Sequence, residues 1–268
     1  MDPYGEEAPL VEVDDFRRWI LFEDEDVLLI NKPGWFVCHP SKNGPHSSLV
    51  GLVRLYLNAD KLHLVARLDR ETSGLILFAK RPAIARRYQM AIQDRRVDKA
   101  YIAILQGTFE PSLELQAPVG RRPAGSGPVH VKSCVHFDRK SLAAETHFRP
   151  LHTANDFTLC RVFPITGRKH QIRVHAAHLG FPVVGDKIYG PDERYYLEFI
   201  EQGLSEHLAR KLIFPRQALH CNRYRFRFKD GSRTFTAPLQ GDLQAFCINK
   251  LALSSSELEA LLIESTPF

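Results

Sequence analysis

The chain has 268 residues, enough to bury a sizeable core in one large domain or two small ones. Its composition, 44% hydrophobic and 25% charged residues, is that of an ordinary globular protein, and no apolar stretch approaches the roughly 18 residues that a membrane span requires. The formal net charge of +5 permits a polyanionic partner such as nucleic acid, although many basic proteins bind none.

The cysteines and the N-terminal segment indicate the compartment. Five scattered cysteines, without a C-x-x-C pair, argue against a disulfide framework and against a cysteine zinc site. The acidic start, residues 1–7, lacks the apolar core of a signal peptide and the basic character of a mitochondrial transit peptide. We therefore expect a reducing, cytoplasmic location, with residues 1–14 as a mobile tail.

The first part of the chain reads as a strand followed by a helix. Residues 27–30 form a compact apolar run, and residues 31–34 end it with turn chemistry. Residues 47–57 then carry apolar side chains at helical spacing behind a capping serine.

The densest motif spans residues 67–80. Charged and turn-forming residues, closed by Gly74, precede the apolar run 75–79, which is typical of a strand buried on both faces. A loop at the edge of a rigid strand is a common place for catalytic groups. Arg67 and Asp69 are two residues apart, so both side chains leave an extended chain on one face. In an arbitrary loop, however, Asp69 would more often form an Asx turn.

A helix and a strand follow this motif. Residues 82–96 predict a helix that begins at a proline, with one apolar and one basic face. The basic face is either simply solvated or tracks the phosphates of a nucleic acid, and both readings stay open. Residues 99–105 predict a strand apolar on both faces, in which Tyr101 would ordinarily be a core residue. The basic residues of the helix are Arg81, Arg86, Arg87, Arg95 and Arg96.

The middle of the chain is rich in β-strand signals. Residues 117–130 are dense in proline, glycine and arginine, which predicts a long flexible loop. Residues 129–137, 144–151 and 157–163 alternate as antiparallel strands do. A β-rich middle in an α+β protein is therefore expected, and not a doubly wound sheet.

A second dense motif predicts a helix from Thr166, as N-cap, to Gly180, as C-terminal stop. Its three histidines could form a metal site, because histidine is a common zinc ligand. No spacing among them matches a known two-histidine catalytic site, so structural roles are favoured and no metal is expected. The histidines are His170, His175 and His178.

The rest of the chain completes one domain, residues 15–252. Residues 192–212 read as two short helices inserted into it, to which no chemistry is assigned. A strand opens at Gln217, residues 230–231 make a hairpin turn, and closing helices follow, with 253–268 as a helical tail.

Taken together, these motifs resemble the RluA-type RNA pseudouridine synthase family over about residues 20–250. Two positions depart from the family pattern: Ala66, where many members have histidine, and Gln240, where proline is usual. The matching phrases are E-D-E-D-V-L-L-I-N-K-P-G at 23–34, R-L-D-x-x-T-S-G at 67–74, K-x-Y-x-A at 99–103, G-R-x-H-Q-I-R-V-H at 167–175, G-D-x-x-Y-G at 185–190 and A-P-L-x-x-D at 237–242.

The resemblance implies a reaction and a fold. A uridine in ribosomal or transfer RNA would be detached at N1, turned and rejoined to the ribose through C5, without a cofactor. The fold would be a mostly antiparallel sheet flanked by helices, with a cleft that holds Asp69. Asp69 would be the nucleophile, attacking C6 of the base or C1′ of the ribose, or stabilising a ribosyl cation or a glycal. The residues do not choose among these routes.

The resemblance also implies partners for Asp69. Arg173 would face the carboxylate and keep it ionised, and Tyr101 would stack on the base or move a proton. The target base must leave its stack, and Arg67 is placed to enter the vacated space or to bind a flanking phosphate. We expect a monomer that binds structured RNA, with no obligate protein partner. Further RNA contacts are expected from Lys32, Arg70, Arg121, Arg122, Arg168 and His170.

Two other classes of function compete with this interpretation. A noncatalytic RNA-binding protein on the same fold would not depend on the Asp69 carboxylate. A metal-dependent hydrolase would use the histidines of the second motif and would carry stoichiometric metal.

Overall fold

The computed structural model describes residues 9–39 and 44–263. None of the helices within these ranges is long and apolar enough to cross a bilayer. The strands are β1 (Ile20–Glu23), β2 (Val27–Lys32), β3 (His63–Leu64), β4 (Ser73–Ala79), β5 (Val97–Gln106), β6 (Leu113–Gln116), β7 (Val119–Arg121), β8 (Ser133–Val135), β9 (Glu145–Ala154), β10 (Phe157–Pro164), β11 (Leu219–Phe228) and β12 (Gly231–Thr236). The helices are α1 (Val13–Arg17), α2 (Leu49–Leu57), α3 (Pro82–Gln93), α4 (Gln171–His178), α5 (Arg194–Gln202), α6 (Glu206–Leu212), α7 (Gly241–Lys250) and α8 (Ser255–Ile263).

Ten of these strands form one sheet, with β1-β2-β4-β11-β5-β10-β9-β6 as its main path. β3 pairs with β4, and β12 pairs with β11. The β4–β11 pairing is parallel, whereas the other pairings in this sheet are antiparallel. β7 and β8 form a separate two-stranded ribbon. The predicted α+β class, with a mostly antiparallel sheet flanked by helices, is confirmed.

The strand predicted to be buried on both faces lies near the middle of the sheet. All seven residues of β4 are buried, because β2 and β11 flank it and helices cover it. Its parallel contact with β11 is short, pairing His220 with Ser73 and Cys221 with Gly74. Gly74 has φ +109°, and a Cβ there would lie 2.3 Å from the carbonyl oxygen of Cys221. Only glycine fits at the point where the charged loop enters the sheet.

Two hydrophobic clusters divide the core, and Tyr101 packs against both of them. The first cluster includes β2, β4, α2 and α3, and the second includes β10, α4, α7 and α8. Tyr101 lies on the central strand β5, so its side chain marks the boundary between the two halves of the molecule. A boundary between packed halves is a usual position for a cleft.

Several sequence-based boundaries need correction. The predicted tail does not extend to residue 14, because Val11 is buried and hydrogen-bonded to His46 and α1 begins at Val13; residues 1–8 lie outside the described residues. The predicted helix N-cap at Thr166 is wrong. The Thr166 hydroxyl donates to the Oε1 atom of Gln171, and α4 begins only at Gln171.

The segment predicted to be an insertion, residues 192–212, contains α5 and α6. The Ser205 hydroxyl caps α6 by accepting from the amide of Leu208. The described part of the C-terminal tail is helix α8, whose Leu258 is buried; residues 264–268 lie outside the described residues.

The arginine-rich loop is less open than the sequence suggests. The predicted strand 129–137 shortens to β8, which pairs with β7 from within the loop 117–130. Val119 and Val129 are buried in a small cluster with Tyr189, so part of this loop is anchored on the body of the protein.

Candidate active site

Asp69 lies in the loop between β3 and β4, and several contacts hold this loop in place. The amide of Thr72 donates to the carbonyl oxygen of Asp69 at 3.2 Å, closing a turn. The buried ammonium of Lys32 donates to the carbonyl oxygen of Arg70 at 2.9 Å. The side-chain amide of Gln217 donates to the Thr72 hydroxyl. The Asp69 carboxylate itself is 35% exposed, so it is fixed at its base but open to a ligand.

Arg173 on α4 bridges Asp69 to a second carboxylate, that of Asp186. Its Nη1 atom donates to Oδ2 of Asp69 at 2.9 Å. Its Nε and Nη2 atoms donate to Oδ2 and Oδ1 of Asp186 at 2.6 and 2.8 Å. The side chain of Asp186 is fully buried, and Oδ1 also accepts from the amides of Ile188 and Tyr189. Arg173 is therefore fixed from behind and offers one remaining edge to Asp69.

The charges in this group decide the protonation state of Asp69. Burial alone would raise the pKa of Asp69, but the charge of Arg173 and its hydrogen bond lower it below its ordinary value. Burial also opposes the charge of Arg173, and its two carboxylate partners outweigh this and raise its pKa. At neutral pH the site therefore holds an ionised carboxylate beside a permanently charged guanidinium.

His170 lies at the edge of the same group in a neutral form. It adopts a left-handed backbone conformation (φ 58°) just before α4, and its Nε2 atom lies 3.8 Å from Oδ2 of Asp69. Its Nδ1 atom is 2.8 Å from the hydroxyl of Tyr189, which already accepts from the amide of Ser133. Burial and the neighbouring Arg173 lower the pKa of His170 to about 4. One ring nitrogen of His170 is therefore engaged by Tyr189, and the other, Nε2, faces Asp69.

Tyr101 offers its ring, not a titrating hydroxyl, to the cavity. It lines a cavity of about 160 Å³ together with Asp69 and Arg173. Its hydroxyl interacts with Cys221 and Tyr224, and burial followed by the neighbouring Cys221 raises its pKa well above 10. Tyr101 therefore stays a neutral phenol at any working pH. The predicted neighbours Asp69, Tyr101 and Arg173 are thus brought together in one cavity.

A second, larger cavity of about 570 Å³ adjoins the first. The two share Arg67, Asp69, His170 and Arg173 among their lining residues, along with Leu68. The far wall comes from the inserted helix α5. The wall residues contributed by α5 are Tyr196, Phe199 and Ile200. The insertion, to which the sequence assigned no chemistry, therefore borders the space in front of Asp69.

The predicted RNA contacts separate into two groups. Arg67 and Arg168 line the catalytic cavity, Arg70 lines the larger one, and Arg121 is exposed at the end of β7. Arg122 instead pairs with Glu193 at 2.5 Å.

Lys32 departs from its predicted role in RNA binding. Its side chain is fully buried, and its ammonium donates to the carbonyl oxygens of Pro33, Phe36 and Arg70 at 2.8–2.9 Å. A buried ammonium with three carbonyl acceptors cannot reach a phosphate. The lysine in this N-K-P-G turn therefore positions the loop that carries Asp69. Sequence reasoning could not distinguish this role because a charged residue in a turn is usually exposed.

The three histidines of the second motif do not converge. His175 is fully buried between Thr146 and the carbonyl oxygen of Ala117, whereas His178 is exposed. Within residues 9–39 and 44–263, no group of three or more histidine, cysteine, aspartate or glutamate side chains is arranged to hold a metal ion.

Sequence reasoning missed three side chains at the site. Asp186 and Tyr189 belong to the phrase G-D-x-x-Y-G, which was recognised but given no role. Lys99 lines the catalytic cavity with Tyr101, and the spacing of two on one strand could have indicated this, since such residues share a face.

Comparisons with known proteins identify the family of this chain. A family model described as RNA pseudouridylate synthase matches residues 26–178. Ribosomal large subunit pseudouridine synthase D of Vibrio vulnificus (strain CMCP6) is 31% identical over 249 residues, covering 87% of this chain and 73% of that protein. An uncharacterized RNA pseudouridine synthase of Chloroflexus aurantiacus is 38% identical over 221 residues, covering 80% of this chain and 63% of that protein.

A solved structure adds a match in three dimensions. Human RNA Pseudouridylate Synthase Domain Containing 1 superposes with a TM-score of 0.65 at 26% identity, covering 93% of this chain and 96% of that one. The sequence motifs, the sheet topology and these matches lead to one conclusion. The chain belongs to the RNA pseudouridylate synthase family, within its RluA-type branch, and is an isomerase that acts on RNA.

Proposed function

We propose that this enzyme converts one or a few uridines of large-subunit ribosomal RNA to pseudouridine, with Asp69 as the nucleophile. The observation that carries the proposal is the Asp69–Arg173 pair, 2.9 Å apart, at the floor of an open cavity. An ionised carboxylate that is fixed by its partner but 35% exposed is suited to attack a ligand. The names of relatives that modify the large ribosomal subunit favour ribosomal over transfer RNA.

The reaction requires four changes of bonding. The N1–C1′ bond breaks, the C5–C1′ bond forms, a proton leaves C5, and N1 receives a proton. Asp69 forms a transient bond at C6 or C1′, or stabilises the ribosyl cation or glycal, and leaves again as a carboxylate. Arg173 balances the negative charge of Asp69 before attack and after release.

The other cavity residues have separate tasks in this proposal. The ring of Tyr101 packs against the detached base while the base turns, because its hydroxyl is already engaged by Cys221 and Tyr224. His170, with Nε2 3.8 Å from the Asp69 carboxylate, limits the space on one side of it. Arg67, exposed at the mouth of both cavities, contacts the RNA from which the uridine has been flipped.

The test uses cells that lack the gene and re-express either the wild type or Asp69→Asn. Their RNA is labelled with uridine that carries tritium at C5, since the tritium is released when C5 bonds to the ribose. Ribosomal and transfer RNA are separated, and pseudouridine positions are mapped. The expected result is the loss of one or a few positions in large-subunit RNA, restored by the wild type and not by Asp69→Asn.

Other outcomes correct the proposal. A position restored in transfer RNA would replace the proposed substrate class while keeping the chemistry. Full restoration by Asp69→Asn would contradict the nucleophile and favour an RNA-binding role without catalysis. The wild type and Asp69→Asn must accumulate to the same level, which an immunoblot of the same cells checks.

We further propose that the enzyme acts as a monomer in the cytoplasm. Asp69, Tyr101, Arg173 and Asp186 all come from one chain, so the proposed chemistry requires no second copy. Sedimentation of the purified enzyme at working concentration should give one species of about 30.6 kDa. A dimer that dissociates only with loss of activity would contradict this.

A further inference from the structure

A third cavity, of about 290 Å³, continues from the catalytic cavity on the side away from α5. The two cavities share five lining residues, so they form one continuous surface groove. We call the third cavity, which is the part of this groove beyond the catalytic cavity, the basic groove. The shared residues are Lys99, Pro164, Thr166, Gly167 and Arg168. The outer part of the groove is closed by the end of α3 and the start of β5.

The charge of the basic groove has one sign. Arg95, Lys99 and Arg168 line it, and no aspartate or glutamate does so within the described residues. Burial lowers the pKa of Lys99, and the negative charge of a phosphate bound in the groove would oppose that shift. Arg168 uses its Nε atom on the carbonyl oxygen of Ala143, which fixes the side chain at the rim.

The arginines on and next to α3 differ in their surroundings, and not all of them line the basic groove. Arg81, Arg87 and Arg96 pair with nearby aspartates, namely Asp26, Asp230 and Asp94. Arg86 lines a separate surface next to Phe228, outside the groove. Arg95 instead follows α3 with a left-handed backbone (φ 56°) and lines the basic groove. Of the basic face predicted from sequence, Arg95 is the member that lines the basic groove.

We propose that the basic groove binds the phosphodiester backbone of the RNA strand next to the flipped uridine, with Arg95, Lys99 and Arg168 as the phosphate contacts. This inference rests on the proposed function, because it takes the catalytic cavity as the place of the target base. Sugar-phosphate contacts position a nucleic acid without reading its sequence. The basic groove therefore fixes the direction of the RNA strand on one side of the flipped uridine. The larger cavity beside α5 is then available for the RNA on the other side of that uridine.

The test compares Arg95→Gln and Lys99→Gln with the matched control Arg86→Gln. Binding of a fluorescent dodecauridylate is titrated at several potassium chloride concentrations between about 50 and 200 mM. Loss of one phosphate contact should reduce the slope of log affinity against log salt by about 0.7 in each groove variant. Arg86→Gln should keep the wild-type slope. With ribosomal RNA as substrate, Arg95→Gln should raise KM roughly threefold and leave kcat within about twofold.

The outcomes separate this proposal from the proposed function. If tritium release depends on Asp69 but Arg95→Gln and Arg86→Gln give the same slope, the basic groove is not a phosphate path and this inference alone is wrong. If the wild type releases no tritium from any RNA, both proposals are wrong. A fall in kcat for Arg95→Gln without a change in KM or slope would also contradict the inference.

Discussion

Asp186 fixes Arg173 through two hydrogen bonds of 2.6 and 2.8 Å from inside the protein, where the carboxylate has no solvent exposure. Arg173 faces the proposed nucleophile with the edge that Asp186 leaves unused. The orientation of the Asp69–Arg173 pair is therefore set by a residue that no substrate touches. A guanidinium suits this arrangement because its planar fork can serve two carboxylates at once, whereas an ammonium is a point charge.

Asp186→Asn should disturb catalysis through Arg173. The amide cannot hold the guanidinium as an anion does, so Arg173 shifts and kcat falls by roughly 10²-fold, the usual effect of a displacement of about 1 Å. KM for RNA should change little. Steady-state tritium release measures both. Asp192→Asn, which removes an exposed pair with Arg194, is the matched control and should behave as wild type.

Asp186→Asn also leaves a buried cation partly uncompensated, which costs on the order of 3–5 kcal/mol of stability. Urea unfolding distinguishes a folded, misaligned enzyme from an unfolded one. Arg173→Lys provides a second test, since it keeps the charge but loses the bridge. Wild-type kcat in a folded Asp186→Asn or Arg173→Lys variant would contradict the positioning role.

The acid side of the pH–rate profile should report the Asp69–Arg173 pair. Since Arg173 lowers the pKa of Asp69, the wild-type rate should stay constant on acidification to below the ordinary range of an aspartate, about 3.9. Arg173→Gln removes the charge that offsets burial, so the acid limb should move to higher pH. Single-turnover rates across a pH series measure this. An unchanged limb in Arg173→Gln would show that Asp69 is not the titrating group.

Stability should depend on pH through the buried His220. Burial, with neighbouring Arg216, lowers the pKa of His220 to about 4, whereas an unfolded histidine titrates near 6.5. Between these values the unfolded chain binds a proton that the folded chain does not. The free energy of unfolding therefore falls as pH drops from about 6.5 to 4, by at most about 1.4 kcal/mol per pH unit from this group.

His220→Gln should make this dependence less steep, and the exposed His178→Gln should not. Urea titrations at a series of pH values measure the slopes. Equal slopes in the two variants would mean that His220 carries no part of the pH dependence. The comparison is informative even if His220→Gln lowers stability at every pH, because the slope and not the absolute value is compared.

The α5 wall of the larger cavity should contribute to RNA binding. Ile200 is 57% exposed in the structure, so Ile200→Ser removes little buried surface and should leave folding intact. We expect a several-fold increase in KM, about 1 kcal/mol, with kcat retained, because the side chain borders the substrate space without reaching Asp69. The control is Leu55→Ser, on α2, which is similarly exposed and lies outside the cavity.

Exchange of the whole insertion tests the same wall more directly. Replacing residues 192–212 by the corresponding segment of a relative should change which uridine is modified. Position mapping in the deletion strain measures the outcome. An unchanged position, with normal activity, would place specificity elsewhere, and the loop 117–130 would be the next segment to exchange.

The sequence predicted the site better than it predicted the boundaries of the elements. Asp69 and Arg173 are 104 residues apart, and no periodicity or spacing could bring them together; the motifs that carry the family resemblance did so. Sequence reasoning missed Asp186 because nothing in the sequence distinguishes an aspartate that is buried against an arginine from an aspartate on the surface. Lys32 was assigned to the surface because charge in a turn usually means exposure, and three carbonyl acceptors in the folded chain reverse that expectation.

The predicted start of α4 was wrong for a local reason. Thr166 has the residue type and position of an N-cap, but its hydroxyl and the amide of Arg168 both bond to the side chain of Gln171. The side chain of Gln171 thereby closes a loop where a helical turn was expected, and this loop places His170 at the cavity edge. Helix propensity and hydrophobic periodicity do not reveal a side chain that competes with the backbone for hydrogen bonds.

The short parallel contact between β4 and β11 has a consequence for how the enzyme is made. It joins residues 73–74 to residues 220–221, and Arg216 also donates to the carbonyl oxygen of Glu71. A nascent chain leaves the ribosome from its N-terminus, so the loop of Asp69 emerges long before the strand that anchors it. The loop of Asp69 is therefore completed only after β11 has left the exit tunnel. An enzyme whose proposed substrate is ribosomal RNA thus gains its finished site well after its proposed nucleophile has been synthesised.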